Sequence, residues 1–268
     1  MRVIIVQSAA DVARTAADHI ATVVRTRQLA GSAAVLGVAT GSSPLGTYAE
    51  LGALANIGEV DLTGVRAFAL DEYVGLDYSH PESYHSVISR TVTKPLGLEA
   101  GRVIVPDGLA DNLEAACQAF ERAITDAGGI DLQLLGIGTN GHIGFNEPTS
   151  SLRSRTRVKT LAPQTREDNA RFFGSLDEVP KHCVTQGIGT ILEAKQLLLV
   201  AHGAQKADAV AAMIEGPLAS VCPASALQLH PAATVVVDEA AAAKLQLHEY
   251  YQHAEAHQLA AAGVAGAN

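Results

Sequence analysis

The chain has 268 residues, 48% of them hydrophobic, and a formal net charge of −9; a length of this order buries roughly 75% of the unfolded surface in one α/β domain. The acidic balance argues against nucleic acid and anionic membranes as partners, since both need a basic surface, and no apolar run reaches the roughly 18 residues of a membrane span. Three cysteines, Cys117, Cys183 and Cys222, have neither metal-ligand spacing nor an even count, which points to a reducing cytoplasm without a disulfide frame.

In chain order, the short apolar run Val3–Val6 opens as a strand, too short for a signal-peptide core. Asp11–Leu29 follows, with Val12, Ala16, Ile20 and Val23 at helical spacing. The run Ala33–Val38 empties into Ala39-Thr-Gly-Ser-Ser-Pro-Leu-Gly46, small residues leading into a helix with Pro44 near its first turn. Backbone N–H groups and the hydroxyls of Thr40, Ser42 and Ser43 there form a cradle for phosphate. The Lys-Ser/Thr pair of a Walker loop is missing, and a plain helix cap is the alternative reading. Val65–Leu70 gives a third strand. At its end stand Asp71 and Glu72, either a base held by its neighbour or a pair of solvated capping residues.

After Val103–Val105 comes the helical segment Asp111–Ala127, with Leu113, Ala116, Phe120 and Ile124 on one face. Leu132–Ile137 reads as a buried strand running into a loop that holds Gly136, Gly138, Gly141 and Gly144 together with Asn140, His142, Asn146 and Glu147. An imidazole and a carboxylate five positions apart can move protons near neutral pH; a Gly-rich turn with solvated polar residues is the bland counterpart. Arg166 and Arg171 lie on the helical segment Gln164–Phe173, where surface ion pairing is the ordinary fate of an arginine. Lys206 follows Gln196–Ala201 at a helix start, an address suited to an anion. Thr234–Val237 closes the series. Alternation of this kind predicts an α/β fold, a Rossmann-like, doubly wound and mostly parallel sheet with helices on both faces. Residues 1–268 form a single domain in this reading, with ligand beyond the carboxyl ends of the strands and the charged excursion 148–180 as a lid.

Taken together, several segments resemble the glucosamine-6-phosphate deaminase family. They are Ala39–Pro44, Leu70–Leu76 with His80-Pro-Glu-Ser-Tyr84, Gly136–Pro148, Ser154-Arg-Thr-Arg-Val-Lys159, Arg171–Pro180, Gly203-Ala-Gln-Lys206 and Leu227-Gln-Leu-His-Pro231, collinear along the chain. The resemblance implies conversion of glucosamine 6-phosphate and water to fructose 6-phosphate and ammonia, without metal or organic cofactor. By that resemblance Asp71 is the base at C2, His142 handles the protons of ring opening, and Glu147 completes the relay. Thr40, Gly41, Ser42, Ser43, Arg171 and Lys206 match positions that hold the 6-phosphate, with Glu72, Gly136 and Gly138 also at the substrate.

One position departs from the best-known members, which carry Asp-Gly-His where this chain has Asn140-Gly-His142. An amide can hold a ring N–H but cannot stabilise an imidazolium by charge, so His142 is expected to be less basic and to lean on Glu147. Some members are activated by N-acetylglucosamine 6-phosphate between the subunits of a homo-hexamer. The matching positions here are Ser150, Ser151, Arg157 and Lys159; an exposed basic strand-and-turn segment is the competing reading, and other members are small and unregulated. Three alternatives share the fold type. A 6-phosphogluconolactonase has no use for a C2 base like Asp71, and a galactosamine-6-phosphate deaminase differs by one hydroxyl's orientation. A sugar-phosphate sensor is expected to carry an N-terminal DNA-binding module, for which a first strand beginning at Arg2 leaves no room.

Overall fold

The long apolar runs become strands buried on both faces, which is why they show no inside–outside alternation. The computed structural model describes residues 1–265, with side chains through residue 257. In chain order the strands are β1 (Arg2–Val6), β2 (Val35–Val38), β3 (Arg66–Ala69), β4 (Asp71–Tyr73), β5 (Val103–Ile104), β6 (Leu132–Leu135), β7 (Arg157–Thr160), β8 (His182–Thr185), β9 (Leu197–Ala201) and β10 (Ala233–Asp238). The helices are α1 (Ala9–Leu29), α2 (Ser42–Asn56), α3 (Tyr84–Ile88), α4 (Leu113–Asp126), α5 (Pro163–Ala170), α6 (Ile188–Leu192), α7 (Ala207–Ile214), α8 (Glu239–Ala242) and α9 (His248–Ala265). None of the described helices is long and apolar enough to cross a membrane.

Seven strands form one parallel sheet in the order β1-β10-β9-β6-β2-β3-β5. Helices cover both faces. On one side α1 buries Val12, Ala16, Ile20 and Val24 beneath a cap in which Ser8 Oγ accepts from the Asp11 N–H. On the other, α4 and α7 set Phe120, Ile124, Val210 and Met213 against Phe68, Leu135 and Leu199. Each fully buried leucine of β9 contributes about 1.5–3 kcal/mol of transfer free energy, so the sheet centre is the rigid part. The chain proceeds from β2 to β3 and β5 on one side, then returns to β6 on the other side of β2 and continues to β9 and β10. The loops leaving β2 and β6 therefore diverge and open a crevice at the carboxyl ends of those strands, where ligands of such sheets bind.

The sequence reading ends the third strand at Leu70 and places the acids in a loop. Instead, Asp71 to Tyr73 form β4, the edge of a second, antiparallel sheet in the order β4-β8-β7. Two adjacent acids hide a strand from any hydrophobic pattern, and its partners lie far along the chain. Strand β7 also ties part of the 148–180 excursion into this sheet, pairing Arg157 to Thr160 with β8. Helix α5 stops at Ala170 rather than at Phe173, which leaves Arg171 as its C-cap.

Candidate active site

The crevice is a cleft of about 840 Å³ including its open mouth. Its lining brings together the ends of β2, β3 and β6, the start of α2, one face of α5, and Lys206. Of the residues singled out in the sequence, Thr40, Gly41, Ser42, Ser43, Asp71, Gly136, Gly138, His142, Arg171 and Lys206 all line it.

One end is cationic. Gly41 turns the chain into α2 with φ 94, a conformation that favours glycine, and no side chain caps the helix. The free N–H groups of the first turn therefore face the cleft beside the hydroxyls of Thr40 and Ser42. Tyr48 anchors the approach, accepting from the Ala39 N–H at 2.9 Å and donating to the Ala39 carbonyl at 2.8 Å. Lys206 donates to the Ile137 carbonyl at 2.7 Å. Burial pulls the Lys206 ammonium below its ordinary range, with Asp168 opposing and Arg171 adding to the fall. The Arg171 guanidinium lies 4.7 Å above the Phe172 ring.

The other end gathers buried ionisable groups. Asp71 is 4% exposed. Burial and the neighbouring Glu72 charge push its carboxyl up to about 8, against hydrogen bonds from Thr185 and the Phe145 N–H. Strand pairing supplies Thr185, which sits opposite Asp71 in the β4–β8 register and whose Oγ1 also accepts from Phe145 N–H at 3.1 Å. His142 lines the same cleft, and its ring fits because residue 138 is glycine: a methyl there would overlap the imidazole. Behind the ring stands buried Glu147, with its Oε2 3.7 Å from His142 Nδ1. That nitrogen is buried and has no partner within hydrogen-bond distance. Burial lowers the His142 pKa while Glu147 opposes the fall. Burial thus favours the neutral form of both groups, raising the Asp71 carboxyl and lowering the His142 imidazole.

A profile of the glucosamine-6-phosphate isomerases and 6-phosphogluconolactonases matches residues 7–237. The chain belongs to this family. A glucosamine-6-phosphate deaminase of Cutibacterium acnes is 57% identical over 252 residues, covering 94% of this chain and 95% of the relative. Among solved structures, a monomeric glucosamine-6-phosphate deaminase aligns with a TM-score of 0.87 and 42% identity, over 91% of this chain and all (100%) of the other. The 6-phosphogluconolactonase of Trypanosoma cruzi aligns with a TM-score of 0.73 at 20% identity, over 91% and 97% of the two chains. That last likeness speaks for the fold alone, and the mostly parallel α/β sheet is the family's.

Within this family frame, three placements differ from the sequence reading. Glu72 does not reach the cleft: alternation along β4 turns it opposite to Asp71, and its carboxylate accepts from the N–H groups of Tyr73, Tyr84 and His85 at 2.7, 2.9 and 2.8 Å. It anchors the start of α3. Asn140 does not touch the imidazole either. Its Oδ1 accepts from the His142 backbone N–H at 3.1 Å and its Nδ2 donates to Glu147 Oε2 at 2.9 Å. Arg157 turns inward and donates to Asn146 Oδ1 at 2.9 Å, while Asn146 Nδ2 donates to the Ile143 and Gln186 carbonyls. Ser150 is buried, Ser151 exposed and Lys159 half-buried, and none of the four lines the cleft.

The sequence reading missed Tyr84, Thr165, Asp168 and Asn169, which line the cleft, and Thr185 behind Asp71. A helical face of Thr165, Asp168 and Asn169 at spacings of three and four was the available signal for the α5 residues. Among the described residues no group of three or more His, Cys, Asp or Glu side chains comes together as a metal site.

Proposed function

We propose that this chain is a glucosamine-6-phosphate deaminase, which isomerises glucosamine 6-phosphate and releases its amino group as ammonia to leave fructose 6-phosphate. The observation that carries the reading is the pairing of Asp71, held near its working pH, with His142 across a cleft whose far end is cationic. The phosphate sits on the α2 amides, Arg171 and Lys206, and this local cluster overrides the negative field of the whole chain.

His142 moves the proton from the C1 hydroxyl to the ring oxygen and opens the pyranose, while Glu147 steadies the imidazolium. Asp71 then takes the C2 proton, giving an enolamine, and returns it to C1. The resulting imine at C2 adds water and expels ammonia, so the carbon–nitrogen bond is broken hydrolytically. Helix α5, which brings Thr165, Asn169 and the adjoining Arg171 to the rim, closes over the bound sugar. Within one domain, this makes the 148–180 excursion a lid only from α5 onward. The reaction belongs to amino sugar catabolism in the cytoplasm, including that of N-acetylglucosamine.

Wild-type protein is expected to release ammonia from glucosamine 6-phosphate; no release rejects the reading. Galactosamine 6-phosphate in the same assay tests the epimer. Adding N-acetylglucosamine 6-phosphate, with the subunit number measured in parallel, tests activation and assembly up to a hexamer. Arg157 is already engaged by Asn146, so an activator site would lean on Ser151 and Lys159.

A further inference from the structure

One charged side chain in the cleft has no part in the scheme above. Asp168 shares the inward face of α5 with Thr165 and Asn169. Its carboxylate is exposed, and among the described residues its side chain is bonded only to the neutral Gln164, at 3.1 Å. Thr165 beside it is 3% exposed, with an Oγ1 that has no partner. This face of α5 is thus a polar wall with unused hydrogen-bonding capacity.

Asp168 lines the same cleft as His142 and Lys206. Burial lowers the pKa of both His142 and Lys206, and the Asp168 charge opposes that fall at each. The other carboxylates do not duplicate it. Asp71 is committed to the C2 proton, and Glu147 stands behind the imidazole, outside the lining. A ligand carrying only a phosphate gains nothing from an anion here and is repelled by it. A ligand with a positive charge near the His142 end gains. In an amino sugar phosphate that charge is the protonated amine at C2, one carbon from the C1 hydroxyl that His142 serves.

We propose that Asp168 is a specificity-determining residue: it recognises the 2-ammonium group and favours amino sugar phosphates over analogues with a hydroxyl or carbonyl at C2. This inference rests on the deaminase reading and deepens it. In the reverse direction the same carboxylate draws ammonium toward the keto sugar. The pair is solvent-exposed, so its contribution is modest and screened by salt.

The test compares wild type with Asp168→Asn and Asp168→Glu on two ligands. One is glucosamine 6-phosphate, read as KM for ammonia release; the other is glucitol 6-phosphate, which keeps the phosphate but has a hydroxyl at C2, read as an inhibition constant. Asp168→Asn is expected to raise the KM about two- to fivefold and to leave the inhibition constant unchanged or lower. Asp168→Glu is expected to restore most of the discrimination, and the KM effect is expected to fade at high salt. Equal changes in both constants, or no change in either, overturn the proposal. If wild type releases no ammonia, the deaminase reading fails by itself. Calorimetric titration of the same proteins with the two ligands then gives the discrimination without turnover.

Discussion

The two ends of the cleft are made in opposite ways. The phosphate end is built around one short turn, Gly41 and the uncapped start of α2, with two long cations reaching in from elsewhere in the chain. The proton-transfer end is dry and assembled from distant pieces: Asp71 on β4, Thr185 on β8, and His142 and Glu147 on the loop after β6. Binding a dianion needs donors that are already unsatisfied, and a helix start supplies those locally. Shifting a carboxyl to about 8 needs burial and a neighbouring charge, which only packing supplies. Affinity and chemistry should therefore separate cleanly under mutation.

The largest effect is expected at Asp71. Asp71→Asn should lower kcat by about 10³–10⁴-fold with little change in KM, measured by ammonia release. The same variant should be more stable than wild type near pH 8. The folded carboxyl titrates at about 8, above its ordinary 3.8, so between these values the folded protein holds a proton that the unfolded chain has released. Wild-type stability thus falls as pH rises through that window, and the amide removes that slope. Thermal melts across pH 4 to 9 would show whether the stability gained by the variant shrinks as the pH falls.

Gly138→Ala comes next. A methyl overlapping the imidazole should displace His142 and cost about 10²-fold in kcat, while glucitol 6-phosphate binding stays near wild type. Equal loss of binding would mean that the two ends are not separable. Lys206→Met is its mirror image, expected to raise KM by about 10–100-fold with a smaller change in kcat, and to flatten the salt dependence of binding.

The smaller effects are shifts of the pH–rate profile. The acidic limb of kcat/KM is set by ionisation of Asp71, so activity should rise with pH toward about 8. Thr185→Val removes a hydrogen bond that holds the carboxyl down and should move that limb upward. Glu72→Gln removes a charge that pushes it up and should move the limb downward, with some loss of stability where three backbone donors lose their carboxylate. Shifts in the same direction for both variants would refute this account of Asp71. Asn140→Asp should have the smallest effect on rate and a distinctive pH signature. It replaces the amide donor to Glu147 Oε2 with a second carboxyl, and two such groups share one proton.

Much of this was legible before any coordinates. The seven parallel strands were visible as apolar runs, each recovered to within a residue or two at most ends, because burial, complete in β2, β6, β9 and β10, leaves an uninterrupted hydrophobic signature. The second sheet was not visible. Its strand β4 begins with two acids, and β7 exposes alternate residues, so neither presents an apolar run. Glu72 shows the consequence. Beside Asp71 in the sequence it looked like a partner in the site, whereas the pleat sends it to the opposite side to bind backbone donors. Asp168 failed in the reverse sense: on a polar helix an aspartate reads as solvated, and only the placement of α5 over the cleft gives it something to face.

By itself, the sequence determined the sheet and the make-up of the loops at its strand ends, since these follow from apolar periodicity and turn chemistry within a few residues; the roles proposed for Asp71, His142 and Glu147 came from resemblance to the family. The tertiary structure alone decided which acid lines the cleft and which is an anchor, that Asn140 braces Glu147 and a backbone amide rather than the imidazole, and that Arg157 is engaged by Asn146. Those outcomes depend on burial and on contacts between residues far apart in the chain, and a carboxylate's chemistry is set by what surrounds it.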